Sequence, residues 1–187
     1  MSGLDRFWQL LHEYSKLSLW AAGGSIVIPF VASFLSIIPP WPTGLNIITS
    51  VIQLASLAIS YQSASNKAGK VAFNMKILGA VGFALVLVYM FLFTTFTIFV
   101  PQAQRSIVIG YECLPDALKV FNGRSCLSLN VDDLATVAFD EFLIWTKTSV
   151  AVIRAVLVGV WLSLFVVIAS LLGQFLAYQM KLKVGPR

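Results

Sequence analysis

The sequence predicts an all-α membrane protein. The expected architecture is a four-transmembrane-helix bundle with an N-terminal amphipathic interfacial helix. A small disulfide-stapled extracytoplasmic subdomain is expected between helices 3 and 4. Three observations lead there. First, of 187 residues 58% are apolar and 11% charged, against about 25% charged in ordinary soluble domains. Second, no Asp, Glu, Lys or Arg occurs from Leu17 to Asn66, from Ile77 to Gln104, or from Ala155 to Met180. A bilayer-spanning helix takes about 20 mostly apolar residues, so the first stretch has room for two spans and each of the others for one. Third, the few charges are sorted by segment, which sets an orientation.

The elements follow in order. In residues 1–16, Leu4, Phe7, Trp8, Leu11 and Tyr14 recur at helical spacing among Asp5, Arg6, Glu13 and Lys16. That pattern predicts a helix lying in the membrane interface. The first span is expected over 17–38. Its apolar stretch is too long for a cleavable signal peptide, and a second span follows closely. Ser18, Ala22, Ser25, Pro29, Ser33 and Ser36 share one of its faces, and Pro29 should kink it. Pro39-Pro-Trp-Pro-Thr-Gly44 then forms a tight turn, because prolines remove helix donors and fix φ. The second span is expected over 45–61, a connection over 62–76, and the third span over 77–100, ended by Pro101. A polar segment, 101–148, precedes the fourth span, 149–180, and a tail, 181–187.

Basic residues fix the sides. Arg6, Lys16, Lys67, Lys70, Lys76, Lys181, Lys183 and Arg187 fall on one side. The turn at 39–44 has none, and the long segment has Arg105, Lys119, Arg124 and Lys147. The positive-inside rule therefore places both termini and the middle connection in the cytoplasm, and a bacterial inner membrane is the expected location. The net charge of +5 reflects this orientation. It is spread over short segments, so no nucleic-acid contact is expected.

Composition also excludes chemistries. The single histidine, His12, precedes the first span, and there are two cysteines, Cys113 and Cys126. A bis-histidine haem within the bundle and a four-cysteine metal site are thereby ruled out. No phosphate-loop, dinucleotide or zinc-protease motif occurs. Beyond Glu13 all acidic residues lie between Glu112 and Glu141, so no span carries a carboxylate for a proton relay. A non-enzyme without cofactor or metal is expected.

The most informative pattern lies on the second span. Asn46, Thr49, Gln53, Ser56, Ser60 and Ser63 are spaced 3, 4, 3, 4, 3, which puts them on one helix face. The spacing continues to Lys67 and Lys70, candidates for contact with an anion or a partner. Two readings compete. In one, small and amide side chains pack and hydrogen-bond between helices inside the bundle. In the other, the stripe lines an aqueous path, which requires an oligomer with this helix towards its axis. Span three is large, aliphatic and aromatic, and reads as structural.

Arg154 is the one charge in the fourth apolar stretch. It is expected either at the interface, snorkelling to headgroups, or turned inward and paired with Asp140 or Glu141. In the long segment, Ser106–Tyr111 reads as a strand, Ala117–Phe121 as a second possible strand, and Asn122-Gly123 as a hairpin turn. Cys113 and Cys126 flank this element and are expected to form a disulfide outside the cytoplasm. Asn130 followed by Asp132 and Asp133 looks like a helix start, with the helix running to Phe142 and merging into span four.

The four-span layout is similar to that of tetraspanins, but their Cys-Cys-Gly motif is absent, since Leu114-Pro115 follows Cys113. Bacterial disulfide-generating quinone reductases also have four spans, but they carry a CxxC where this chain has Pro-Pro-Trp-Pro-Thr-Gly. Neither resemblance holds. Size and layout are similar to immunity proteins against pore-forming colicins and to small four-span subunits of anti-phage systems, without a shared motif. The expected function is that of an oligomeric membrane protein. It would act as a pore, or as a sensor or adaptor coupled to a cytoplasmic partner, in bacterial envelope or anti-phage defence. The alternatives are an immunity-type protein that neutralises a membrane-inserted toxin and a small transporter subunit. Expected partners are the bilayer, further copies of the chain, and a cytoplasmic protein.

Overall fold

The computed structural model describes residues 29, 31–32, 34, 37–66, 71–101, 105–121, 125–129 and 131–184. The expected interfacial helix over 1–16, most of the first span, and Lys67, Lys70, Asn122 and Gly123 lie outside the described residues. The described elements are α1 (Leu45–Asn66), α2 (Val71–Phe96), β1 (Thr97–Val100), β2 (Arg105–Val108), α3 (Pro115–Val120), α4 (Val131–Ala135), a 3-10 turn (Glu141–Leu143) and α5 (Lys147–Val184). The chain divides into two compact units. One unit, Met1–Ile38, Gly44–Val86 and Leu162–Arg187, is helical over most of its described residues and is called the helical unit below, and a second unit comprises Pro39–Thr43 and Leu87–Trp161.

Three described helices, α1, α2 and α5, are long and apolar enough to cross a membrane. They have 22, 26 and 38 residues. At 1.5 Å per residue these correspond to about 33, 39 and 57 Å, against a hydrocarbon core of about 30 Å. Their bounds differ from the sequence expectation. α1 runs on to Asn66 instead of ending at Tyr61, and α2 starts at Val71 instead of Ile77. α5 exceeds the expected fourth span at both ends. Apolar stretches mark what must lie in lipid, whereas helices continue into water wherever propensity and packing allow.

In the helical unit, α1 starts where Gly44, with φ of +79°, turns the chain out of the proline-rich segment. The Gly44 carbonyl accepts the amides of Ile47 and Ile48. Within α1, the hydroxyls of Thr49 and Ser50 donate to the carbonyls of Leu45 and Asn46, so both polar groups are satisfied by their own helix. Glycine sets the helix contacts. A Cβ at Gly173 of α5 would sit 2.7 Å from the Leu57 carbonyl and 3.0 Å from the Tyr61 amide of α1, so the two backbones meet there. A Cβ at Gly82 of α2 would lie 3.4 Å from Val167 of α5, and one at Gly79 would lie 3.8 Å from Leu171. Below these, Tyr61, Ala64, Val71 and Ala177 form a small buried cluster.

The second unit corrects three sequence expectations. The third helix ends at Phe96, not Val100. Thr97–Val100 are β-branched or aromatic, and Val100 precedes Pro101, which disfavours the helical conformation. They form β1, which pairs antiparallel with β2 in the register Thr97↔Val108 to Val100↔Arg105. The Phe96 carbonyl accepts the Ile109 amide at 2.9 Å, so the ladder takes up a group the helix end leaves open. The fold is thus mostly helical with one two-stranded sheet.

Ala117–Phe121 is not a strand, since α3 occupies Pro115–Val120. Pro115 stands in its first turn, where no amide is needed. Asp116 pairs with Lys119 one turn later, at 3.1 Å on the surface. Nor does a helix run from Asn130 to Phe142. α4 ends in a Schellman motif, where the Phe139 amide donates to the Leu134 carbonyl and the Ala138 amide to the Ala135 carbonyl. Ala138 and Phe139 take φ of 55° and 60°, a left-handed turn that stops the helix without glycine.

Candidate functional site

Trp145 organises the second unit. It is fully buried in a core with Val100, Ile107, Ile109, Leu134, Ile144 and Val150. Its indole N–H donates to the Cys126 carbonyl at 3.2 Å, and its backbone bridges antiparallel to Cys113. The expected disulfide joins those same two segments, Cys113 to Cys126, with Cα atoms 5.7 Å apart. Staple and tryptophan therefore fix one another's strands. Two further bonds extend the bridge, from the Leu114 amide to the Ile144 carbonyl at 2.8 Å and from the Thr146 amide to the Glu112 carbonyl at 3.0 Å.

That pairing delivers the chain straight into α5. Thr146 caps the helix by accepting the Ser149 amide at 3.3 Å, the N-cap pattern. The Thr146 hydroxyl donates to Glu112 at 3.2 Å, and the Ser149 hydroxyl reaches the Glu112 and Thr146 carbonyls at 3.3 and 3.0 Å. Gly110 makes room for this corner. A Cβ there would overlap Ser149 Oγ and sit 2.9 Å from Trp145 Cβ.

Two turns into α5, Arg154 pairs with Glu141 of the 3-10 turn at 2.6 Å, with side-chain exposures of 22% and 15%. The pairing with an acidic residue of the long segment is thus realised, with Glu141 as the partner. The fold closes the 13-residue gap by turning back between the 3-10 turn and α5. Asp140 is occupied elsewhere, accepting the Phe142 amide at 2.9 Å. The guanidinium carbon lies 5.6 Å from the Phe142 ring and 6.0 Å from the Trp41 ring, within range of cation–π attraction. Nothing in the sequence joins Trp41 or Phe142 to Arg154. The proline-rich turn lies far from Arg154 in the chain, and no periodicity links either ring to it.

The α1 stripe divides by position. Thr49 and Gln53 are fully buried. Asn46, Ser56 and Ser60 are half-buried, and Ser63 is exposed. The buried line follows Leu45, Thr49, Gln53, Leu57 and Tyr61, a strict four-residue step. The alternating 3, 4 spacing of the polar residues drifts off that line towards the C-terminal end of α1. Both amide atoms of Gln53 are buried without a hydrogen-bond partner, as is Oε1 of Gln174 on α5. Among the described residues no group of three or more His, Cys, Asp or Glu is placed to hold a metal ion.

Three apolar helices of spanning length, joined to a compact stapled unit, define the class: an integral membrane protein with a folded segment between two of its spans. No family model, no curated protein and no solved structure matches the chain.

Proposed function

We propose that the protein is a non-enzymatic, oligomeric membrane sensor or adaptor that couples the stapled unit to a cytoplasmic partner. The charge distribution supports an orientation with both termini inside and the stapled unit outside, and the reading takes a bacterial inner membrane as the location. Envelope or anti-phage defence suits such a layout. One observation carries the reading: the stapled unit has no linker to either helix. β1 follows α2 at the next residue, and Thr146, bonded into the unit's core corner, is the cap of α5. A ligand or force that rearranges the unit acts on helix ends directly. The exposed apolar side chains of α2, among them Phe73, Phe83, Leu87 and Phe91, offer area for lipid or for further copies.

Gln53 favours a second reading. An amide with two unpartnered atoms inside a membrane helix bundle is a natural point for water, and a hydrated path along α1 would make the protein a pore. Vesicle reconstitution with native mass spectrometry separates the two. The sensor reading expects an oligomer without ion leak, and Gln53→Leu leaves that unchanged. Leak from the wild type that Gln53→Leu abolishes would overturn it in favour of the pore.

A further inference from the structure

The Arg154–Glu141 pair is mostly covered, yet its bonding capacity is largely unused. A guanidinium presents five N–H donors. One goes to Glu141 Oε1, while the Nε–H is buried with no partner. The other carboxylate oxygen of Glu141 accepts no hydrogen bond from any described residue. An unmet donor and a carboxylate oxygen without a described partner thus belong to one ion pair. The two rings at the guanidinium are Trp41, 49% exposed, and Phe142, 36% exposed. The amphipathic indole of Trp41 favours the headgroup level of a bilayer. Arg154 lies seven residues into α5, about 10 Å along the helix from Lys147.

Charge decides what fits. Glu141 cancels Arg154, so a simple anion gains little there. A group that carries both a phosphate and an ammonium can meet the exposed part of the guanidinium and the second carboxylate oxygen together. We propose that Arg154, Glu141 and Trp41 bind the headgroup of a zwitterionic phospholipid, its phosphate oxygen on Arg154 and its ammonium on Glu141, with the Trp41 ring against the headgroup. The proposal needs the membrane placement alone and stands apart from the sensor and pore readings. Free phosphate shares half of this chemistry but lacks the ammonium and the acyl chains.

The test is native mass spectrometry of the full chain in detergent with phosphatidylethanolamine or phosphatidylglycerol of identical acyl chains, with and without millimolar inorganic phosphate. The wild type is expected to retain phosphatidylethanolamine about tenfold better, a difference of about 1.4 kcal/mol, and phosphate should not displace it. Glu141→Gln should reverse the preference towards phosphatidylglycerol, and Arg154→Gln should lose both lipids. Trp41→Leu leaves the ion pair in place and should weaken phosphatidylethanolamine several-fold, so it decides the matter even if the charge variants fail to fold. Equal retention of the two lipids by the wild type, displacement by free phosphate, or undiminished retention by Trp41→Leu would overturn the proposal.

Discussion

The two units of this protein solve the same problem in different ways. In the stapled unit the polar groups at the core are given partners, with the Nε–H of Arg154 the exception: the Trp145 indole meets the Cys126 carbonyl, and Ser149 and Thr146 meet Glu112. Outside its parts of α2 and α5 its segments are short, and a disulfide and a tryptophan core hold them. In the helical unit the backbones satisfy themselves within helices, contact is made at glycines, and the amide of Gln53 is left without a partner. Water favours the first solution, because an irregular chain must account for every backbone group. Lipid permits the second, because helices need no outside partner for their backbones. The difference teaches where change is costly. The stapled unit fails when a partner is removed, and the helical unit fails when bulk is added.

Mutations can break or sharpen this contrast. The largest effect is expected from Trp145→Ala, which empties the core of the stapled unit. Thermal unfolding in detergent should show a loss of about 3–5 kcal/mol. Removing the staple with Cys113→Ser and Cys126→Ser together opens a loop of sequence separation 13 and should cost about 3 kcal/mol. In the helical unit, Gly173→Ala should destabilise by about 1–3 kcal/mol, because its new methyl meets the α1 backbone. Gln53→Leu is expected to act in the opposite sense and raise stability by about 1–2 kcal/mol, since it removes a buried group that makes no bond. A loss of stability there would mean that the amide holds a partner and that the contrast between the units is too sharp. The smallest effect is a gain below about 1 kcal/mol from Ala138→Gly, which relieves a left-handed residue at the end of α4.

What was legible in the sequence follows from the same physics. Long charge-free stretches read as helices because lipid imposes one length and one composition, and α1, α2 and α5 lie where those stretches are. The disulfide was legible because only two cysteines exist. The short elements were harder. Thr97–Val100 continues an apolar run, so composition could not separate the end of a helix from the strand that follows. Pro115 with Asp116 was the signal for α3, but the β-branched and aromatic content of Ala117–Phe121 obscured it. The stop of α4 uses alanine where glycine is the usual mark. The Arg154 cluster depends on the chain's return through Glu141 and on the turn at Trp41, which are tertiary facts without a local pattern. The polar stripe was legible as a stripe, but its burial depends on neighbours, and only Thr49 and Gln53 are fully enclosed.

The proposed sensor function has the stapled unit and the spanning helices act as a coupled pair. Hydrogen–deuterium exchange of the full chain in lipid nanodiscs, with the Cys113–Cys126 bond intact and then reduced, tests it most directly. Coupling predicts faster exchange on reduction at the first turns of α5 and also at the far ends, around Val71–Met75 of α2 and Phe175–Tyr178 of α5. Faster exchange confined to residues 105–146, with the far ends unchanged, would contradict it.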